Sequence, residues 1–187
     1  MVKVVIVNGM PGSGKSHFER ICSDLTGFFN PLEGFTENRK LAVDITSTVD
    51  FVKEIASMCG WDGTKTLENR KFLSDLKALL TAWDNVPYKI IEHRAQTLPG
   101  HLDWIMFVDC REPIEIQKLK DGLNATTLLI RRESIENAET SNASDANVFN
   151  YDYDLTIWNN YDIINLENEA KNFIEYMRGA PHYDYDN

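Results

Sequence analysis

Residues 9–16, GMPGSGKS, combine three glycines, a lysine and a serine in an order suited to phosphate chemistry. They match the pattern G-x-x-x-x-G-K-[ST] at every fixed position. The glycines let the backbone curl so that its N–H groups point inward at phosphate oxygens. Lys15 adds a positive charge for the β- and γ-phosphates, and the Ser16 hydroxyl is a ligand for Mg²⁺. The segment therefore predicts a nucleotide-binding site.

A carboxylate and an arginine follow the apolar run at residues 104–108. These are Asp109 and Arg111, and an acid followed by an arginine suits phosphoryl transfer to a phosphorylated acceptor. The acid would hold Mg²⁺, and the arginine would clamp the acceptor phosphate through two hydrogen bonds. The alternative is a strand-end acid and an ordinary salt bridge at a helix start.

Two adjacent arginines, Arg131 and Arg132, follow another apolar run at residues 125–130. The polar segment after them predicts a lid over about residues 131–150. Arginines at its hinge would neutralise charge as the γ-phosphoryl group moves, and a closed lid would exclude water. The alternative is a solvated pair on the stem of the lid.

The residues flanking the glycine-rich loop predict a strand before it and a helix after it. Residues 3–8 form a β-branched apolar run, and Phe18, Ile21, Cys22 and Leu25 fall on one helical face. Such a helix directs its positive end at bound phosphate. The alternative is a glycine-rich turn between strand and helix that carries an ordinary surface lysine. Such a turn would not need the flanking strand and helix patterns, which therefore favour the nucleotide-binding site. The predicted ATP-binding residues are Gly9, Pro11, Gly12, Ser13, Gly14, Lys15, Ser16 and His17.

Five apolar runs separated by helical patterns predict an α/β protein with a mainly parallel, doubly wound, five-stranded sheet. The strands are expected at residues 3–8, 41–46, 104–108, 125–130 and 153–158. Ser47 is the expected N-cap of the helix after the second strand. A third helix is expected to bury Leu73, Leu76, Leu80 and Trp83, whereas residues 88–98 are ambiguous and favour helix. Ligands of such sheets bind at the carboxyl ends of the strands, which adds Asp44 and Asp50 to the candidate substrate contacts.

Composition and charge limit the classes of partner. The 187 residues suit one α/β domain with a small insertion, and the net charge of −10 argues against a nucleic-acid-binding or acidic-membrane-binding surface. The three cysteines, Cys22, Cys59 and Cys110, read as reduced core thiols, and the four tryptophans as core residues. A strand beginning near residue 2 and the lack of a long apolar run predict a cytoplasmic protein.

The sequence narrows the class of nucleotide-binding protein. A GTPase should carry an N-K-x-D motif, which is missing, and the D-x-x-G match at residues 24–27 falls at the end of the first predicted helix. A motor ATPase usually has adjacent acids after a strand, whereas Asp109 is followed by Cys110 and Arg111. These features favour a kinase.

The chain resembles the P-loop nucleoside monophosphate kinases, and within them the phage-type deoxynucleoside monophosphate kinases. The resemblance rests on GMPGSGKS, the helical segments STVDFVKEIASMCGW and RKFLSDLKALL, VDCREPIEI from Val108, and YDYDLTIWNN near the end. It implies a three-layer α/β/α P-loop NTPase fold, ATP, Mg²⁺ and transfer to a monophosphate. Residues 47–98 would be the helical acceptor-binding part, with Arg70 as a candidate contact beside Arg111. The D-G-[FY]-P-R signature of adenylate kinases and a zinc knuckle are missing, so the base stays open.

The predicted protein is a single P-loop kinase domain over residues 1–179 with a polar tail at 180–187. Its catalytic residues would be Lys15, Arg111, Arg131 and Arg132, and its metal ligands Ser16 and Asp109. The partners expected are small-molecule nucleotides, with a homodimer as an open alternative. A P-loop kinase of another small molecule and a non-catalytic ATP sensor remain the alternative functions.

Overall fold

The computed structural model of the chain describes residues 1–26, 41–136, 147–160 and 163–179. Within these ranges the strands are β1 (Val2–Asn8), β2 (Leu41–Ser47), β3 (Asp103–Asp109), β4 (Thr126–Arg131) and β5 (Leu155–Trp158). The helices there are α1 (Lys15–Thr26), α2 (Asp50–Met58), α3 (Leu67–Asp84), α4 (Val86–Thr97), α5 (Pro113–Leu123), α6 (Glu133–Glu136) and α7 (Ile163–Met177). The chain divides into two compact units, Met1–Ile45 with Pro99–Asn187, and Thr46–Leu98.

The five strands form one sheet in the order β2-β3-β1-β4-β5. β1 runs parallel to both β3 and β4, and β5 runs parallel to β4. The register sets Val2 opposite Trp104 and Val7 opposite Asp109. After β1 the chain builds one side of the sheet through β2 and β3, and then the other through β4 and β5. The glycine-rich loop therefore leaves the sheet at the position where the strand order reverses, which is where such sheets bind ligands.

Helices cover both faces of this sheet. On one face α1 and α7 pack around three aromatic rings, with the Phe18 centroid 5.4 Å from Phe173 and 6.2 Å from Phe107. Alternate residues of β1, such as Val4 and Ile6, are also buried, and α5 packs against β1 and β4. A strand buried on both faces reads as a continuous apolar run, as residues 3–8 do. The predicted three-layer α/β/α fold around a parallel five-stranded sheet is confirmed.

The apolar face expected on α1 is wrong at its last turn. Leu25 is 42% exposed, and Thr26 is buried instead. The Thr26 hydroxyl donates to the Cys22 carbonyl at 3.0 Å, so burial leaves no unsatisfied polar group there.

The second unit, Thr46–Leu98, consists of α2, α3 and α4 after the end of β2. On α3 the expected apolar residues Leu73, Leu76 and Leu80 are half-buried, whereas Trp83 is 82% exposed and contradicts the expectation. A unit of about fifty residues has too little interior to cover every helix. Residues 88–97 are helical, as the sequence favoured, and Pro87 stands in the first turn of α4.

The start of α2 differs from the expected Ser47 cap. The helix begins at Asp50, and the Ser47 hydroxyl accepts from the Val49 N–H at 3.3 Å without capping the helix. The Asp50 carboxylate accepts from the Ser47 N–H at 2.8 Å and from Lys53 Nζ at 3.2 Å. The two side chains thus stabilise a turn ahead of the helix.

Two further expectations about burial are corrected. None of the tryptophans is buried, and the indole N–H of Trp104 donates to the Pro99 carbonyl near the surface. Cys59 is exposed because it follows the last turn of α2, whereas Cys22 and Cys110 are buried as free thiols.

The helices described are all too short or too polar to span a bilayer. Half of the expected lid (residues 137–146) and the whole tail (residues 180–187) lie outside the described residues.

Candidate functional site

The glycine-rich loop joins the end of β1 to the start of α1. Within it the Ser13 N–H donates to the Met10 carbonyl at 3.0 Å, which closes a tight turn. The helix begins at Lys15, and the Phe18 N–H donates back to the Gly14 carbonyl at 2.9 Å. The first N–H groups of a helix have no partner within the helix and carry its positive dipole end. The loop and the first turn of α1 together form a surface suited to an anion.

Lys15 and Asp109 meet at this end of the sheet. Lys15 Nζ lies 3.3 Å from Asp109 Oδ1, and the two side chains are 14% and 30% exposed. Asp109 ends β3 opposite Val7 of β1, so the parallel register carries the acid to the loop that follows β1. The structure thus brings together two of the residues that the sequence nominated. Ser16 follows Lys15 in the first turn of α1 and is exposed.

Glu19 is a third charged residue here that the sequence reasoning missed. It lies one helical turn after Lys15, is 1% exposed, and its Oε1 has no hydrogen-bond partner among the described residues. The pKa of Glu19 is raised to about 7, mainly by burial and also by the negative charge of Asp109, while the positive charge of Lys15 acts to lower it. The sequence did hold a signal for Glu19, because it lies four residues after Lys15 and therefore on the same side of α1, next to the buried Cys22.

The raised pKa of Glu19 predicts that the free energy of unfolding depends on pH. Its pKa is about 7 in the folded chain against an ordinary value of 4.5, so the folded state binds this proton more tightly than the unfolded chain does. Its stabilising contribution is therefore full below about pH 4.5 and is lost as the pH rises through about 7. We expect the free energy of unfolding of Glu19→Gln to gain on wild type by up to about 3 kcal/mol between pH 4.5 and pH 8.

Urea unfolding of both proteins across that pH range measures this difference. Glu175→Gln is the matched control, because Glu175 is exposed on α7. A difference between Glu19→Gln and wild type that stays constant with pH would contradict the assignment.

Asn8, at the end of β1, holds the loop from the sheet side. It is fully buried; its Oδ1 accepts from the Gly9 N–H at 2.8 Å, and its Nδ2 donates to the Tyr153 hydroxyl at 2.7 Å. The same amide donates to the Arg111 carbonyl at 3.3 Å, and the Tyr153 hydroxyl donates to the Val148 carbonyl at 2.9 Å. Sequence reasoning missed this network, although an asparagine closing an apolar strand was its signal.

Arg131, one of the two predicted lid arginines, is held in a local ion pair. Its Nε and Nη2 donate to the two carboxylate oxygens of Glu136 at 2.5 and 2.8 Å. The guanidinium lies 4.2 Å from the ring centre of Trp158 and 5.1 Å from that of Phe149. These hydrogen bonds raise the pKa of Arg131 and lower that of Glu136. The next residue, Arg132, is exposed, so the two arginines have different environments.

The remaining nominated residues lie in two groups. Arg111 is exposed before α5, Asp44 is half-buried in β2, and His17 is half-buried with its Nε2 unpartnered among the described residues. Pro11 and Gly12 are exposed in the loop. Asp50 and Arg70 belong to the second unit, where the Arg70 Nε donates to the Lys65 carbonyl at 3.2 Å. The roles of all these residues stay predictions.

The donor set near Lys15 fits a magnesium ion better than a transition metal. The Ser16 hydroxyl and the Asp109 carboxylate are hard oxygen donors, which Mg²⁺ prefers and supplements with waters and substrate phosphates. Among the described residues, no three histidine, cysteine, aspartate or glutamate side chains come together as metal ligands.

Comparison with known proteins supports the fold. No protein-family profile matches the chain, and no curated protein sequence is detectably similar to it. Among solved structures, TT1252 from Thermus thermophilus aligns over 94% of this chain and 97% of its own, with 13% identity and a TM-score of 0.51. A thymidylate kinase from Ehrlichia chaffeensis aligns over 94% of this chain and 98% of its own, with 14% identity and a TM-score of 0.47. A gluconokinase from Sinorhizobium meliloti aligns over 96% and 98%, with 12% identity and a TM-score of 0.46. At 13% identity the likeness to TT1252 concerns the fold alone.

Proposed function

We propose that this chain is an ATP-dependent kinase that transfers the γ-phosphoryl group to a nucleoside monophosphate or deoxynucleoside monophosphate. The observation that carries the proposal is the placement of Lys15 3.3 Å from Asp109, where the glycine-rich loop leaves the sheet. This places a cation, a hard-oxygen ligand and backbone N–H donors at one strand end, which are the parts that phosphoryl transfer uses. The resemblance to monophosphate kinases over most of the sequence supports the choice of acceptor.

Phosphoryl transfer leaves a protein little covalent chemistry to perform, so the residues act by positioning and by charge. The loop N–H groups and the first turn of α1 would hold the β- and γ-phosphates. The positive charge of Lys15 would stabilise the negative charge of the phosphoryl group during its transfer. Ser16 and Asp109 would hold Mg²⁺, which supplies charge neutralisation when bound. Lys15 faces Asp109 in the structure, so a bound phosphate would share the lysine with that carboxylate.

The environments of the two lid arginines divide their proposed roles. Arg131 donates hydrogen bonds from Nε and Nη2 to Glu136, and its guanidinium packs over the ring of Trp158. We therefore assign it a structural role at the start of the lid. Arg132 is exposed, and a free guanidinium is what charge neutralisation on the moving phosphoryl group requires. Of the pair, Arg132 is therefore the stronger catalytic candidate.

Arg111 is proposed to bind the acceptor phosphate, because it is exposed two residues after Asp109. We expect Arg111→Ala to raise the KM for the acceptor by about tenfold or more, since charged hydrogen bonds contribute about 1.5–3 kcal/mol each. The KM for ATP should stay within about twofold. Steady-state kinetics with each substrate varied in turn measure both constants. Unchanged acceptor kinetics would remove Arg111 from the acceptor site.

ADP formation from ATP and Mg²⁺, with each ribo- and deoxyribonucleoside monophosphate added in turn, tests the proposed function. Acceptor-dependent ADP formation that Lys15→Ala strongly reduces is the expected result, and the monophosphate that stimulates it identifies the base. ATP binding without stimulation by any monophosphate would refute the nucleotide-kinase proposal. The remaining readings would then be a kinase of another small molecule and an ATP sensor, which a wider acceptor panel separates.

A further inference from the structure

We infer that Asn159 is a positioning residue of the phosphate-binding loop, whose side-chain amide fixes the peptide between Ser13 and Gly14. The inference rests on the proposed ATP site and is independent of which acceptor the enzyme uses. Asn159 follows β5 directly and lies outside the GMPGSGKS segment by more than 140 residues of sequence. Nothing in the loop pattern itself points to it.

The first observation is a direct hydrogen bond from this side chain to the loop backbone. Asn159 Nδ2 donates to the Ser13 carbonyl at 2.8 Å. The Asn159 backbone is itself anchored, because its N–H donates to the Arg131 carbonyl at 2.7 Å, at the end of β4. The amide therefore reaches the loop from a point fixed on the sheet, and the loop carbonyl is held relative to β4.

Peptide geometry turns this contact into an effect on the phosphate side of the loop. The peptide unit is planar and trans, so its carbonyl and its N–H point in opposite directions. With the Ser13 carbonyl directed at Asn159, the N–H of Gly14 is directed away from Asn159. Loops of this pattern bind phosphate with such N–H groups. Asn159 thus orients a phosphate donor without touching the phosphate.

The second observation is the fit between Asn159 and Gly14. A Cβ atom built on Gly14 would lie 2.3 Å from Asn159 Nδ2, and Gly14 has φ of +98°. The amide can approach the backbone this closely because position 14 has no side chain. The glycine thus leaves room for the Asn159 side chain as well as allowing the backbone conformation.

The neighbouring Asn160 provides a matched control. Its Oδ1 accepts from the Glu133 N–H at 2.8 Å, so it supports the start of α6. Asn160→Ala therefore removes a side chain of the same type from the same segment, while the Asn159 contact to the loop is kept.

MgATP titration by calorimetry of wild type, Asn159→Ala, Asn159→Asp and Asn160→Ala tests the inference. Loss of one hydrogen bond that orients a donor predicts a Kd for MgATP about 5–20-fold higher in Asn159→Ala. The shift should be larger in Asn159→Asp, whose carboxylate repels the Ser13 carbonyl and the phosphates. Thermal unfolding of all four proteins shows whether the variants are folded, and the KM for the acceptor should not move.

Three results would overturn the inference. MgATP affinity of both Asn159 variants equal to that of wild type would show that the hydrogen bond does not position the loop. An equal loss in Asn160→Ala would assign the effect to the general fold of the 158–160 segment. Wild type that fails to bind MgATP would overturn the inference together with the proposed function, whereas binding without phosphoryl transfer would refute the function alone.

Discussion

Replacing Lys15 with alanine is expected to lower kcat by a factor of about 10²–10³, the usual cost of removing one preorganised group that stabilises transition-state charge. The Lys15 side chain is 14% exposed at the loop, so its charge acts in a partly water-excluded site where electrostatic effects are strong. Its fold-stabilising role should be smaller. When the cation is lost, the buried Glu19 can stay protonated, which limits the repulsion from Asp109.

Kinetics and urea unfolding of Lys15→Ala, measured on the same preparation, separate these two effects. Lys171→Ala is the matched control, because Lys171 is exposed on α7. We expect the control to match wild type in both measurements. A loss of folding free energy large enough to account for the loss of turnover would argue against a role of Lys15 in transfer.

Replacing Gly9 with alanine is expected to lower the free energy of unfolding by about 2–3 kcal/mol, in the range of overpacking a close-packed interior. A Cβ atom at Gly9 would lie 2.5 Å from the Ile130 carbonyl oxygen and 2.6 Å from Ser13 Oγ. The Ile130 oxygen belongs to the backbone of β4, a buried strand that cannot shift without disturbing its pairing with β1 and β5. The loop must move instead, which should also weaken MgATP binding.

Urea unfolding of Gly9→Ala and Gly100→Ala measures the stability effect. Gly100 is the matched control, because a Cβ atom built there meets no atom within 4 Å. Equal midpoints for the two variants would show that the loop tolerates a side chain at position 9.

The parts of the fold that follow from local patterns could be predicted from the sequence. The β1 strand, the loop and α1 follow from a continuous apolar run, a glycine pattern and a helical period. Placing Asp109 near Lys15 needed only the rule that ligands of such sheets bind at the carboxyl ends of their strands. The side chains that decide the details of the site could not be predicted in the same way.

Glu19 and Glu136 show why. Hydrophobic patterning places an acidic residue at the surface by default, and nothing local in the sequence says that α1 turns Glu19 towards Asp109. The pairing of Arg131 with Glu136 depends on where α6 begins after β4, and element ends are the least regular part of a fold. The exposure of Trp83 on α3 has a related cause, since periodicity shows that a helix is amphipathic but not how far along the helix a partner covers the apolar face.

The central place of β1 in the sheet has a consequence for how the chain folds. Val2 pairs with Trp104 and Val5 with Thr126, so the strand leading into the phosphate-binding loop gains its neighbours only after about a hundred further residues. Contacts of such long sequence separation slow folding, because the loop they close carries an entropic cost before any pairing compensates it. The apolar β1 strand therefore stays unpaired during synthesis until β3 and β4 emerge. An exposed apolar strand of this kind is prone to aggregation and is a typical binding site for a chaperone.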